Sequence, residues 1–363
     1  GKPKWMTADI EAYALIHGNL HGPFKELCYL TGNQNLYHFV ERIAEKQTNR
    51  KRAKLRYLTA IADKGNKSRV VAISDYWTQI LLRPLMLEIQ DVIYEHFNDY
   101  SSLKSHTAGF DKLKSFIRPG IKSYDITSWT DAFPAVLQKV VLEELYSNEL
   151  AHSWYSLVVL CDWEVKGMTD TVKYSRGQGM GTSGSFDIAT LTDMLVLAFI
   201  YKDKYNIDIA NHKGPLLYNK VGDDLWCYDP ESYIYDVYTK DLGLDINMNK
   251  TKSVTADNNV AEYVSRNINY NNDVSRISAN ICRAVQRNIL DIPELARHLE
   301  ERNVDVLPIK EIMELKSNPN KDKIVRTLYL LSRFYPKRVG MKLLHKSIKL
   351  DFENLIYSDP IIG

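Results

Sequence analysis

The chain has 363 residues, 45% hydrophobic and 25% charged, the content of an ordinary globular protein large enough for two or three subdomains. Its 47 Lys and Arg against 45 Asp and Glu leave a formal net charge of +2, which excludes a polycation that coats nucleic acid through bulk charge. Four scattered cysteines with no C-x-x-C pair exclude a disulfide framework or structural zinc site, and no apolar run reaches membrane-spanning length. The opening Gly1 to Met6 has no secretion-signal pattern, so the chain is expected to act inside a cell.

In chain order, Gln34 to Arg50 reads as a helix, with Leu36, Phe39, Val40 and Ile43 on one stripe. The basic run Arg50 to Arg56 is expected to continue it as a solvated face. Lys64 to Arg69 is a basic turn before a strand at Val70 to Ile73. A helix starts near Asp75 and runs through Trp77, Ile80 and Leu81 to a kink or break at Pro84. Ile121 to Ile126 alternates as a strand does. Pro134 is expected in the first turn of a helix over Ala135 to Tyr146. A Gly-rich loop, Arg176 to Gly184, feeds a helix over Phe186 to Tyr201. Two short strands then flank Gly222-Asp223-Asp224, the tight turn of a hairpin. A helix over Tyr233 to Asp241 stops at Gly243. Extended pieces follow near Asp245 to Lys252 and Glu262 to Ser265, and from Ser278 the chain reads as nearly all helical. The fold class expected is α+β with helical additions.

Three features suggest chemistry. Asp125 ends a strand, and Asp131 follows after a short loop. The Gly177 to Ser185 loop leaves backbone N–H groups free ahead of a helix. Asp223 and Asp224 place two carboxylates side by side, an arrangement that a divalent cation stabilises. Read alone, each has a plainer meaning: a helix cap, a flexible loop, a polar turn. Read together, Asp125 and Asp223 on neighbouring strands could hold two Mg²⁺ about 4 Å apart, the clamp for in-line displacement at phosphorus. Lys67 and Arg69 upstream would supply fixed positive charge for a triphosphate.

The order of these features resembles that of viral RNA-dependent RNA polymerases of the mitovirus and narnavirus group, with levivirus replicases more distant. The basic finger motif is similar to Lys67-Ser68-Arg69-Val70-Val71-Ala72-Ile73, followed by Asp75-Tyr76-Trp77-Thr78-Gln79. The first palm motif corresponds to Asp125 through Pro134, the Gly-rich motif to Gly177 through Ser185 and Thr192, and the metal motif to Gly222-Asp223-Asp224. The later lysine motif is Asn249 to Ser253. The primer-grip region is Glu262 to Arg266, then Asp273 to Ser278.

The resemblance implies a right hand. Fingers would occupy 1–118 with an insertion at 150–176, the antiparallel-sheet palm 119–149 and 177–277, and a helical thumb 278–363, where Arg333, Lys337, Arg338 and Lys342 would face RNA phosphates. It also implies site roles. Asp125, Asp223 and Asp224 would ligate two Mg²⁺ ions, with Mn²⁺ as a substitute. Lys67 and Arg69 would hold the triphosphate of an incoming NTP. Asp131 and Ser185 would read the ribose 2′-OH, since Ala189 stands where many relatives carry Asn. Lys250 or Lys252 would protonate pyrophosphate. Gly181, Ser183, Gly184, Thr192 and Arg266 would meet the RNA template or nascent strand. The expected compartment is host cytoplasm or mitochondrion, with no secretion.

Two rival readings have stated discriminators. Gly179-x-Gly181-x-x-Gly184 fits the dinucleotide fingerprint, with Asp203 at a suitable distance, and would need a parallel βαβ unit at that point. A polymerase-like module kept only for RNA binding should have lost metal ligands, whereas Asp125, Asp223 and Asp224 are all present.

Overall fold

A computed structural model describes residues 7–47, 53–63, 67–269 and 272–275, with isolated positions between 280 and 299. The expected thumb helices and their basic residues, like Arg50 to Arg52 and Lys64 to Asn66, lie outside the described residues. The chain divides into two compact units, Gly1–Val264 and Ser265–Gly363. Within the second, strands at Arg266–Asn269 and Asn272–Asp273 pair antiparallel.

The first unit opens with helices α1 (Ala8–Ile16), α2 (His21–Leu30) and α3 (Gln34–Lys46). Helix α3 buries Tyr37, Val40 and Ala44 on one stripe. It ends where Gln47 turns extended, so the basic run does not prolong it. Arg56 instead opens strand β1 (Arg56–Asp63), which forms a hairpin with β2 (Lys67–Ser74). This corrects the solvated-face reading, because Arg56 is buried. Its guanidinium pairs with Asp75 and donates to Thr78 Oγ1 at 3.1 Å and to the Leu157 carbonyl at 3.3 Å. Asp75 also caps α4 (Tyr76–His96) by accepting from Thr78 N at 2.8 Å. Helix α4 runs on through Pro84.

After α5 (His106–Phe116) comes β3 (Ile121–Asp125). A short turn, α6 (Trp129–Ala132), leads to α7 (Ala135–Leu145), which Pro134 precedes as the capping residue. Helix α8 (Asn148–Val158) and the short strands β4 (Trp163–Val165) and β5 (Thr171–Val172) follow. β4 joins β1 in parallel, giving the sheet order β2-β1-β4-β5.

The Gly-rich loop then opens α9 (Ser185–Tyr205). Next are β6 (Tyr218–Val221), β7 (Asp224–Tyr228) and α10 (Tyr233–Asp236), which continues as a π-helical turn over Val237–Asp241. β8 (Lys252–Ser253) and β9 (Val260–Tyr263) complete the unit. The second sheet, β6-β7-β3-β8, is antiparallel throughout.

Side chains alternate across this sheet. The register aligns Asn219, Trp226 and Ser123 on one face, where Trp226 Nε1 donates to the Gly109 carbonyl of α5 and the Ser123 hydroxyl accepts from Glu262 N of β9. The opposite face carries Tyr218 and Lys220 and rests on α9. There the Tyr201 ring stacks on Tyr218 at 5.8 Å, and the Tyr201 hydroxyl reaches both the Leu217 and Tyr228 carbonyls. Helix α9 is buried along most of its length, through Ile188, Leu191, Met194, Leu197 and Ile200, and forms the centre of the core. No described helix is long and apolar enough to cross a membrane.

Candidate active site

The Gly222-Asp223-Asp224 turn is the expected hairpin. Val221 and Asp224 pair across it, leaving Gly222 and Asp223 as a two-residue loop. Gly222 has φ +57°, the left-handed region that favours glycine, and a Cβ there would lie 2.2 Å from the Phe186 ring. Thr190 Oγ1 of α9 accepts from Gly222 N at 3.2 Å, which ties the loop to the core helix.

β3 lies beside β7 with Asp125 directly opposite Asp224. The sequence reading opposed Asp125 to Asp223, and the register moves the pairing by one residue. Directly opposed residues of antiparallel strands share a face, so Asp125 and Asp224 project together while Asp223 sits at the tip. These three line a cleft of about 170 Å³ with Glu262, Asn249, Lys250 and Lys252.

The crowding has an electrostatic cost. Partial burial, then the neighbouring Asp223, Glu262 and Asp125 carboxylates, push the Asp224 carboxyl up to about 6, opposed by the Lys220 ammonium. Lys250 Nζ lies 3.1 Å from Asp125 Oδ2, an ion pair with both side chains substantially exposed. Such pairs contribute about 0–1 kcal/mol, so the ammonium can leave at little cost. Lys250 is delivered there by backbone: Asn247 N donates to the Asp125 carbonyl at 2.9 Å and Lys250 N to the Asn247 carbonyl at 3.1 Å.

Behind the turn, on the other face, lies an ion pair that the sequence reading missed. Lys220 Nζ is 2.7 Å from Asp193 Oδ2, and neither side chain is exposed. Asp193 also accepts from Trp129 Nε1 at 3.0 Å and from the Tyr238 hydroxyl at 2.5 Å. One carboxylate thus joins the hairpin, the turn after β3 and the π-helical segment. Glu262 was also missed as a site residue. It was visible only as a member of the primer-grip motif, because β9 brings it in from outside both acid-bearing strands.

Of the other expected site residues in the first unit, Arg69, Asp131, Gly181, Ser183, Gly184, Ser185 and Thr192 are not among those lining this cleft. Lys67 and Arg69 are on β2, with Arg69 exposed. Asp131 lies within the short turn α6, where desolvation raises its carboxyl and a Tyr174 hydrogen bond opposes the rise. Ser185 begins α9 and is buried. Thr192 is buried within α9, its hydroxyl donating to the Ile188 carbonyl at 2.7 Å. Gly181 (φ +116°) lies against the Ala72 carbonyl, Gly184 (φ +76°) lies beside Met86, and Ser183 N donates to Gln79 Oε1 at 2.8 Å. Arg266, in the second unit, pairs with Asp273 at 2.6 Å.

The donor set suits a hard divalent cation. Such ions take carboxylate oxygens, and Mg²⁺ needs only one or two from the protein when substrate phosphates and water supply the rest. Among the described residues no three His, Cys, Asp or Glu side chains form a ready cage. The open pairing of Asp125 and Asp224 beside Asp223 fits that partial-ligand arrangement.

The family model described as mitovirus RNA-dependent RNA polymerase matches residues 4–316. The chain belongs to this mitovirus polymerase family. The match spans the whole motif series from Lys67 to Ser278, as the resemblance implied. A relative named RNA-directed RNA polymerase, from Cryphonectria parasitica mitovirus 1 (strain American chestnut tree/New Jersey/NB631), is 27% identical over 150 residues, which cover 39% of this chain and 17% of the relative. The chain therefore matches less than a fifth of that relative's length. Among solved structures, telomerase from Candida albicans in complex with a TWJ fragment of telomeric RNA is 14% identical, with TM-score 0.48 and coverage of 83% of this chain and 63% of that one. Apo telomerase from Candida tropicalis is 12% identical, with TM-score 0.47 and coverage of 88% and 63%.

The family leaves the dinucleotide reading without support, and so does the local topology. The strand before the Gly-rich loop, β5, pairs antiparallel with β4, and α9 leads into the antiparallel β6-β7 hairpin. The parallel βαβ unit that the fingerprint needs is not found among the described residues.

Proposed function

We propose that this polymerase-family chain catalyses template-directed RNA synthesis in replication of a viral RNA genome. The 3′-OH of an RNA strand attacks the α-phosphorus of an NTP, and pyrophosphate leaves. The observation that carries the reading is the alignment of Asp125 with Asp224 in one cleft, with Asp223 at the hairpin tip and Lys250 alongside.

In this reading the β6-β7-β3-β8 sheet is the palm of a right hand. Residues 119–149 and 177–277 form the palm, 1–118 with 150–176 the fingers, and 278–363 the thumb. Asp125, Asp223 and Asp224 would hold two Mg²⁺ ions, or Mn²⁺ in their place. When bound there, such ions supply the charge that favours an ionised 3′-OH and steadies the departing pyrophosphate. Lys67 and Arg69 on β2 bind the triphosphate, and Asp131 and Ser185 select the ribose. Gly181, Ser183, Gly184 and Arg266 are assigned to the RNA-facing part, whereas Thr192, buried with its hydroxyl bonded inside α9, is not. Of the two candidate proton donors, Lys250 is favoured over Lys252, because its ammonium already stands within 3.1 Å of Asp125. The working compartment is the host cytoplasm or mitochondrion.

The test is extension of a primed RNA template with NTPs and Mg²⁺, comparing the chain with Asp223→Ala. Incorporation that requires Asp223 is expected. Equal incorporation by both proteins removes the metal assignment, and dNTPs used as readily as NTPs remove the ribose role of Asp131.

A further inference from the structure

The segment Asp75 to Gln79 follows the basic strand, and Gln79 has no role in the scheme above. Its side chain is nevertheless placed for one. Gln79 stands in the first turn of α4, where its own N–H donates to the Asp75 carbonyl at 3.2 Å. Its amide reaches across to the Gly-rich loop and uses both ends. Nε2 donates to the Gly181 carbonyl at 3.1 Å, and Oε1 accepts from Ser183 N at 2.8 Å.

The same loop is held from β2 as well. Ala72 N donates to the Met180 carbonyl at 2.8 Å, and the Ser74 and Thr182 hydroxyls meet at 3.0 Å. A Cβ on Gly181 would lie 2.7 Å from the Ala72 carbonyl, so the loop rests directly on the strand. Behind this contact, the buried Arg56–Asp75 pair fixes the start of α4 against β1. A neutral amide is the side chain suited to this position. A carboxylate would keep the Ser183 bond but set its second oxygen against the Gly181 carbonyl, and an aliphatic chain would make neither bond.

We propose that Gln79 is a positioning residue that clamps the Gly-rich loop to the start of α4, alongside the contacts the loop makes with β2. The strand carrying Lys67 and Arg69 and the loop leading to Ser185 then form one rigid surface for the incoming nucleotide. This role rests on the polymerase reading; the clamp itself does not. Without the amide the loop keeps its β2 contacts but loses both bonds at Gly181 and Ser183. Nucleotide binding should weaken more than the chemical step, because the acid cleft of β3 and β7 makes no use of Gln79.

The experiment combines two measurements on the full chain. Hydrogen exchange is followed in the peptide over residues 180–185 for the native protein, Gln79→Ala and Gln79→Glu. Single-nucleotide incorporation on a primed RNA template gives KM for NTP and kcat. For Gln79→Ala we expect exchange about tenfold faster in that peptide and KM raised about tenfold, with kcat changed less than about threefold, the scale of one or two net hydrogen bonds. Gln79→Glu keeps the Ser183 bond and should show a smaller exchange gain with a raised KM. Unchanged exchange in Gln79→Ala overturns the clamp. Faster exchange with unchanged KM overturns its coupling to the nucleotide. A native chain that extends no primer refutes the polymerase reading, and the exchange result still decides the clamp.

Discussion

Lys220→Met should destabilise the first unit substantially. The lysine stem and the methionine chain are close in volume, so packing changes little and the effect isolates the charge. Lys220 and Asp193 are both fully buried at 2.7 Å. Removing the ammonium leaves a buried carboxylate without its counter-ion, a change that typically costs about 3–5 kcal/mol. Asp193 retains donors from Trp129 and Tyr238. Hydrogen bonds to a charged group contribute about 1.5–3 kcal/mol each and soften the loss, so about 3 kcal/mol is expected. At about 2–4 °C per kcal/mol for a unit of this size, Tm should fall by roughly 6–12 °C in calorimetry. Adding Asp193→Asn removes the stranded charge and keeps an acceptor, so the double variant should recover at least half of the loss. A fall below about 2 °C, or no recovery in the double variant, would refute the reasoning that this pair is an electrostatic unit.

The pH dependence of Asp224 has a definite sign. Its carboxyl, raised to about 6, holds a proton more tightly folded than unfolded. That contribution stabilises the fold at low pH and is lost as pH rises from about 4 through 6. Asp224→Asn should therefore melt higher than the native chain at pH 8 and no higher at pH 4; a lower melting point at pH 8 contradicts the crowding account. Millimolar Mg²⁺ should raise the native Tm at pH 8 and shift an Asp125→Asn/Asp223→Asn variant much less, as thermal melts with and without EDTA can show. Gly222→Ala combines an unfavourable φ with a contact at 2.2 Å to Phe186, so a loss of about 1–3 kcal/mol is expected in urea denaturation, and an unmoved midpoint contradicts it. Lys250→Ala should slow single-nucleotide incorporation about 100-fold near pH 7, while Lys252→Ala stays within about threefold; equal losses would remove the assignment of the proton donor to Lys250.

Local signals carried much of this fold. Glycine and two acids between apolar runs mark the β6-β7 hairpin, alternation marks β3, apolar periodicity marks α3 and α9, and Pro134 marks the start of α7. What stayed hidden depended on distant partners. Arg56 sits in a basic run that looks solvated, and its burial depends on Asp75, Thr78 and the Leu55 and Leu157 carbonyls. Strand β1 was masked by the same run. Nothing in the strand pattern singles out Lys220, whose partner Asp193 comes from α9, packed against that face of the sheet. The candidate site was legible as residues rather than as geometry. Asp125, Asp223, Asp224 and Lys250 all stand out in the sequence, but the pairing of β3 with β7, two strands far apart in the chain, is what opposes Asp125 to Asp224. Glu262 joins them through strand placement, which no local pattern encodes.

The register of β3 also has a consequence for synthesis. Asp125 leaves the ribosome about 100 residues before Asp224, the residue it must face. At about 5–20 residues per second, β3 waits roughly 5–20 s for its central partner β7. During that interval Ile121 and Tyr124, both buried at the end, belong to a strand with two unpaired edges, the kind of template on which chains aggregate. A nascent chain stalled between these two points would carry Asp125 without the Asp224 and Glu262 carboxylates that share its cleft. Translation speed across α7, α8 and α9 would then govern the yield of native protein.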